Sequence, residues 1–308
     1  MNKFIRIMLI MFGVCLAVGG GLLIAGLALG GTLDDAAVSI GSDGHLVTGL
    51  MDHGLLRLKR IDDDDDDDDD SADQEEYTNK MSVNAADIRE LKIDLRNCDL
   101  RIAPSDDDKI YVGIEAGDAD HISLKRDEDV LKIIDTRKHF KNLKTVSVDI
   151  RIPDDHMFDE ISMQLRAGDI GIDRLAANEI EIKAGAGQMD VETLIAKQEF
   201  DLELGAGDME IGEAELGRTD IECGVGSFEI ISCTLGGDAN INGGVGEVNV
   251  GIAGEKDDFN YELQCGLGEL EVFGDSYTSL GKDKKIDNGA RYTIALECGV
   301  GSVNVHAR

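Results

Sequence analysis

One phrase, apolar-x-apolar-x-apolar-Gly-x-Gly-x-apolar-x-apolar, is written six times along the second half of this chain. The copies are IEIKAGAGQMDV (180–191), FDLELGAGDMEI (200–211), TDIECGVGSFEI (219–230), ANINGGVGEVNV (239–250), YELQCGLGELEV (261–272) and IALECGVGSVNV (294–305), after a worn version, ISMQLRAGDIGI (161–172). Marked by their second glycine (Gly168, Gly187, Gly207, Gly226, Gly246, Gly268, Gly301), successive copies lie 19, 20, 19, 20, 22 and 33 residues apart. A nearly fixed step of about twenty residues is the mark of a solenoid, in which one repeat cannot bury its own apolar face and must stack on its neighbours.

Within each copy the period is two, so alternate side chains share a face and the element is a strand. Before the glycines one inward column reads Met163, Ile182, Leu202, Ile221, Ile241, Leu263, Leu296 and the next reads Leu165, Ala184, Leu204, Cys223, Gly243, Cys265, Cys298. The middle of each Gly-x-Gly (Ala167, Ala186, Ala206, Val225, Val245, Leu267, Val300) extends the same face inward on this reading. The phase then slips by one, and the inward set becomes Ile170, Met189, Met209, Phe228, Val248, Leu270, Val303, followed by Ile172, Val191, Ile211, Ile230, Val250, Val272, Val305. A slip of one would expose the core in a flat strand. Here it predicts a corner, where glycine takes dihedrals that other residues avoid. A last inward column is expected at Leu175, Leu194, Ala214, Cys233 and Ala253. The fold class is therefore all-β, a parallel β-helix or solenoid with about twenty residues per coil.

The chain divides by composition. Residues 1–31 hold an almost wholly apolar run, 4–29, long enough as a helix to span a bilayer of roughly 30 Å. Lys3 and Arg6 precede it and Asp34 and Asp35 follow. That bias predicts a single-pass anchor with a cytoplasmic N-terminus and the remainder outside; a cleaved signal peptide is the alternative. Residues 32–81 read as an acidic stalk. Residues 45–61 there have near-helical apolar spacing, and nine aspartates, Asp62–Asp70, form a block that repels itself and stays solvated. Residues 82–160 read as an irregular opening of the β body, with LKIDLRNCDLRI (91–102) matching the phrase and Asn97-Cys98 standing where the others have x-Gly. Residues 161–308 are the regular coils, interrupted by an excursion at 274–292.

A net charge of –33 excludes a basic nucleic-acid footprint and suits a solvated body that meets cations or cationic polymers. The outward columns are acidic, and Asp201, Glu203, Asp220 and Glu222 form their densest square, the weak candidate for a Ca²⁺ site beside the reading of a solvated face. The Asp62–Asp70 tract lacks the spaced ligands and glycine of a calcium loop. The residues after each marker glycine (Asp169, Gln188, Asp208, Ser227, Glu247, Glu269, Ser302) are expected to bond to corner backbone. No His spacing fits a metal centre, and the Gly-x-Gly phrase recurs too often, with no third glycine, to be a nucleotide loop. No catalytic constellation is present and no cofactor is implied. Inward Cys residues act as small hydrophobes and are expected as free thiols. Cys265 and Cys298, in adjacent coils, are close enough to bridge, whereas Cys223, placed two coils from Cys265, is not.

The run of apolar alternation, Gly-x-Gly-[Asp/Glu/Ser] and apolar alternation behind an N-terminal anchor resembles the bacterial "putative adhesin" β-strand-repeat family, a domain of unknown function related to head-GIN-type adhesins, over residues 82–308. The resemblance implies a right-handed β-helical body outside the membrane and carries no catalytic residues. The expectation is a non-enzymatic, membrane-anchored surface-binding module with cell-surface or envelope partners. The alternative is an envelope-stress component acting through membrane-protein partners.

Overall fold

The computed structural model describes residues 38–40, 46–48, 77–115, 119–137, 144–277 and 284–308. The apolar run 4–29 and the Asp62–Asp70 tract lie outside them. Two compact units are present, Met1–Ala72 and Asp73–Arg308. In the first, β1 (Val38–Ile40) pairs antiparallel with β2 (Leu46–Thr48), so the near-helical spacing of 45–61 opens as a strand. Among the described residues no helix is long and apolar enough to cross a membrane.

The second unit is the wound ribbon. Its strands are β3 (Tyr77–Asn84), β4 (Glu90–Ser105), β5 (Lys109–Glu115), β6 (Ile122–Asp127), β7 (Val130–Asp135), β8 (Val146–Pro153), β9 (Phe158–Leu235), β10 (Ala239–Ile252), β11 (Phe259–Cys265), β12 (Glu269–Val272), β13 (Asp275–Tyr277), β14 (Lys284–Ile286) and β15 (Tyr292–Ala307). The 78-residue β9 winds through four copies of the phrase as one continuously paired strand. Parallel registers align the copies: Ile241 sits on Ile221, Val248 on Phe228, and both in turn on Leu296 and Val303. The two columns after the slip are buried without exception. The Met163–Leu296 column is buried as well, at 4% exposure or less. Phe200 and Phe228 fill the bore where a larger residue fits.

Regular winding begins earlier than residue 161. β4 runs in register with the first lap of β9, Leu91 on Ile161 and Cys98 on Gly168, as the 91–102 match predicts. Beyond β4 the two faces are closed separately. One face ends in β7 (parallel to β4) and β6 (antiparallel to β7); the other ends in β8, β5 and β3, the last two antiparallel. A buried clamp holds the return between them. Arg137 donates from Nε and Nη2 to the Asp135 carboxylate at 2.6–3.0 Å and from Nη1 to the Lys144 carbonyl at 2.6 Å. Burial works against ionisation of Asp135, but the hydrogen bonds from the Arg137 side chain and backbone outweigh it and hold the carboxyl below its usual range.

The other end departs from sequence order. β15, the last strand of the chain, is not the last lap. It pairs in parallel with β10 on one side and with β11 and β12 on the other. The excursion 274–292 supplies β13 and β14, which pair antiparallel with β12 and β11 and cover the outer edge. Cys223 is consequently three laps from Cys265, not two, through Gly243 and Cys298. The apolar columns cannot reveal this, because Leu296 fits beside Ile241 or beyond Leu263 equally well. The physical reason is edge protection: threaded inside, a sixteen-residue strand satisfies both of its edges. Ala253 also departs from its predicted column. A register shift between Val250 and Ile252 places Ile252 beside Cys233 and leaves Ala253 exposed.

Candidate functional site

The corner is where the ribbon presents unusual chemistry. The marker glycines Gly168, Gly187, Gly207, Gly226, Gly246 and Gly301 have φ between 131° and 148°. A Cβ at Gly226 or Gly246 would stand 1.9 Å from the carbonyl oxygen of the preceding lap's marker glycine. Only glycine permits that dihedral and that approach together. The first glycine of the pair is needed for the approach alone: Cβ atoms at Gly224, Gly244 and Gly299 would lie 2.4–2.6 Å from the preceding lap's carbonyl oxygen.

Bending there turns the middle residue of Gly-x-Gly to the outside, which corrects the inward assignment of this column. Val225, Val245, Val300 and Leu267 are 56%, 51%, 42% and 55% exposed. Ala186 and Ala206 are exposed too. Strand alternation misplaces them because the extra residue of the slip is spent at the corner: both glycines and the residue between them lie outside the bore. Val225, Val245 and Val300 are register neighbours, and the Leu267 N–H donates to the Gly299 carbonyl at 2.8 Å, so the four form one continuous row.

On one side of this apolar ridge runs a shallow glycine-floored groove of about 440 Å³, lined by Gly205, Gly224, Gly244 and Gly299 and walled by Glu203, Glu222 and Glu297. On the other side stand Asp208, Glu247 and Glu269, with Glu210, Glu229 and Glu271 beyond. Among the described residues no lysine or arginine pairs with any of these six carboxylates. The residues after the marker glycines bond mostly to neighbouring side chains, as Gln188 does to Asp190 at 3.1 Å. Ser227 donates from its N–H and Oγ to Asp208 at 3.2 and 2.5 Å, and Asn249 donates to Glu247 at 2.9 Å. The expected corner-backbone role therefore holds only at Asp208.

The predicted square of Asp201, Glu203, Asp220 and Glu222 does line one groove, on the face before the corner. Two cations already share it. Lys183 pairs with Glu181 at 3.0 Å and Glu203 at 4.0 Å, and Arg218 pairs with Glu199 at 3.3 Å. Burial, then Glu199 and Asp220, push the Asp201 carboxyl above its ordinary value. Among the described residues no three His, Cys, Asp or Glu side chains are gathered to hold a metal ion. Successive laps spread the four carboxylates along the face instead of converging them. A wider groove on the N-terminal cap, lined by Ser82, Tyr111, Asp149 and Arg151, is internally satisfied: Tyr111 donates to Asp107 at 2.7 Å and Arg151 pairs with Asp149 at 3.3 Å. The ridge thus stands out for solvent-facing apolar groups beside carboxylates of which, among the described residues, only Glu203 has a cation partner. Sequence reasoning could have found it, because the column changes from Ala186 and Ala206 to Val225, Val245, Leu267 and Val300 while the neighbouring glycines stay constant.

The thiols are free in the structure, as expected: Cys98, Cys223, Cys233, Cys265 and Cys298. Burial pushes Cys98, Cys223 and Cys233 up to about 12, which suits packing and not nucleophilic work.

A family model described as Toastrack DUF4097 matches residues 88–306. No curated protein matches the chain. Solved structures similar to it include three described as adhesion proteins. A "putative cell adhesion protein" from Clostridium sporogenes is 15% identical, over 75% of this chain and 99% of that one, with a TM-score of 0.27. A "putative adhesin" from Bacteroides fragilis is 18% identical, over 73% and 95%, with a TM-score of 0.38. A "putative adhesin" from Parabacteroides distasonis is 12% identical, over 74% and 96%, with a TM-score of 0.34.

Proposed function

The chain belongs to the Toastrack DUF4097 family, and from that premise we propose that it is a non-enzymatic surface-binding module whose working edge is the corner ridge. The observation that carries this reading is the row Val225, Val245, Val300, Leu267, exposed in register between two acidic banks. A soluble body gains nothing from four aligned apolar groups in water, whereas contiguous exposed apolar surface rimmed by polar groups is the usual form of an interaction site. The flanking carboxylates select the partner: a cationic polypeptide segment that lays apolar groups on the ridge and basic groups on Glu203, Glu222 and Glu297 or on Glu247 and Glu269. No metal, cofactor or catalytic group enters this role.

The body is held outside the cell by the apolar segment 4–29, with the nine-aspartate tract as a solvated spacer. Its support is the charge bias around that segment and the length of the run.

Binding of a fluorescent peptide of alternating Lys and Leu to the full chain tests the ridge. The expected result is saturable binding that weakens with salt and falls at least tenfold when Val225, Val245, Val300 and Leu267 are all replaced by Ser. Equal binding by the serine variant overturns the assignment. Protease added to intact cells tests the placement: cleavage within residues 71–81 is expected, and full protection contradicts it.

A further inference from the structure

Five thiols lie among the described residues, and only two of them share a register. Cys265 of β11 is the Cα partner of Cys298 of β15, whereas Cys223 faces Gly243, Cys233 faces Ile252, and Cys98 faces Gly168 and Val146. Register neighbours on parallel strands are about 4.8 Å apart, within the Cα separation of roughly 4.4–6.8 Å that a disulfide spans. Both sulfur atoms converge on one glycine. Cys265 Sγ donates to the Gly268 carbonyl at 3.0 Å, and a Cβ placed on Gly268 would stand 2.6 Å from Cys298 Sγ. Both residues are buried. The place in the fold is also distinctive, because this is the junction between the threaded C-terminal strand and the lap beyond it.

We propose that Cys265 and Cys298 are a paired oxidation site, closing into a disulfide that latches the threaded strand β15 to the terminal lap. The oxidant is a small disulfide of the glutathione class. One cysteine thiol loses its proton to water, and its thiolate attacks a glutathione sulfur, releasing one glutathione thiolate and leaving a mixed disulfide. The second cysteine, deprotonated in turn, attacks the protein sulfur of that mixed disulfide and expels the other glutathione. Two protein thiols are oxidised and one disulfide is reduced to two thiols. The bond closes a loop that contains β12, β13, β14 and the whole excursion, so the two short edge strands are tied down with it. Burial holds the Cys298 thiol up at about 11, so latching is slow near neutral pH and quickens as pH rises. Reduction releases the lap without altering the corner ridge on the laps before it.

The test equilibrates the reduced full chain with oxidised glutathione and, in a parallel arm, with hydrogen peroxide, which is small enough to enter a packed edge and forms two waters as the thiols join. Samples are denatured in an alkylating agent and mapped by peptide mass. The expected result is one crosslinked peptide pair, Cys265–Cys298, with Cys98, Cys223 and Cys233 alkylated, and a melting temperature several degrees above that of the reduced chain, reversed by dithiothreitol. Cys265→Ala and Cys298→Ala should each show no upward shift on oxidation, measured against the same variant kept reduced. All thiols alkylated in both arms, or crosslinks spread among the other cysteines, overturns the proposal.

Discussion

The two ends of the winding stop in different ways. At the N-terminal end the laps give way to antiparallel strands, β6 on one face and β5 and β3 on the other, and the crossing between them is fastened by the buried Asp135–Arg137 pair. At the C-terminal end the chain threads its final strand inside the stack and covers the exposed edge with two strands of three residues each. Leu296, Cys298, Val303 and Val305 hold that strand by apolar contact on both sides. The difference teaches when charge is needed. A lap with a neighbour on each side is fixed by repetition, since every column offers the same partner twice. An irregular crossing has no such template, and a bidentate ion pair with satisfied backbone acceptors specifies its one geometry.

This contrast can be broken, most severely at the clamp. Asp135→Ala leaves the Arg137 guanidinium buried without its carboxylate and should cost about 3–5 kcal/mol in urea unfolding. Because the folded-state pKa of Asp135 is depressed, its contribution is present above the ordinary carboxylate range and is lost as pH falls through the folded value. The corner comes next. Gly246→Ala forces a side chain onto φ of +139° and onto the Gly226 carbonyl, with roughly 1–3 kcal/mol expected from backbone strain alone. Gly274→Ala, at the irregular end with φ of +82° and open space around it, should cost less than Gly246→Ala in the same assay.

A smaller effect sharpens the N-terminal side. His156 stacks edge-on against Phe158 at 4.4 Å, and burial, opposed by the Ile88 backbone and Asp155, holds its pKa below 6.5. The unfolded chain therefore takes up the proton first. Stability from the neutral ring is complete above about pH 6.5 and is lost on acidification below it. Thermal midpoints from pH 7.5 to 5 should fall less steeply in His156→Gln, and parallel curves for the two proteins would contradict this. The smallest effect belongs to the ridge: Ser at Val225, Val245, Val300 and Leu267 should each change stability by no more than about 0.5 kcal/mol, because those side chains already face water.

The lap order itself is open to disulfide trapping. Asn242 and Glu297 are register partners, as are Gln264 and Glu297. Cysteines at 242 and 297 should crosslink readily, and cysteines at 242 and 264 should not. A chain wound in sequence order would give the reverse.

Most of the bore was legible because burial repeats with the pitch: Ile182, Leu202, Ile221 and Ile241 announce one another. What escaped was whatever repetition cannot encode. Val245 reads as inward by alternation, since the slip marks a corner but does not say which residue is spent outside it. Leu296 fits two neighbours equally, so the threading of β15 is hidden, although the 33-residue step before Gly301 is long enough for a return path. The Asp135–Arg137 clamp is absent from any column, and its spacing of two residues on an irregular segment carries no signal of burial. The acidic square was visible by composition, but the cations that share it sit just outside it: Lys183 one lap earlier in the same outward column as Glu203 and Glu222, and Arg218 just before the 219–230 copy.

Thiol labelling of the folded protein distinguishes the corner from the bore most directly. Val245→Cys and Val248→Cys lie three residues apart, on the ridge and in the core respectively. The account predicts that a maleimide modifies Cys at 245 at close to its rate in the denatured chain, read peptide by peptide, and modifies Cys at 248 at least a hundredfold more slowly. Equal protection at both positions would place the middle of Gly-x-Gly inside the bore, and the ridge with the binding role built on it would be gone.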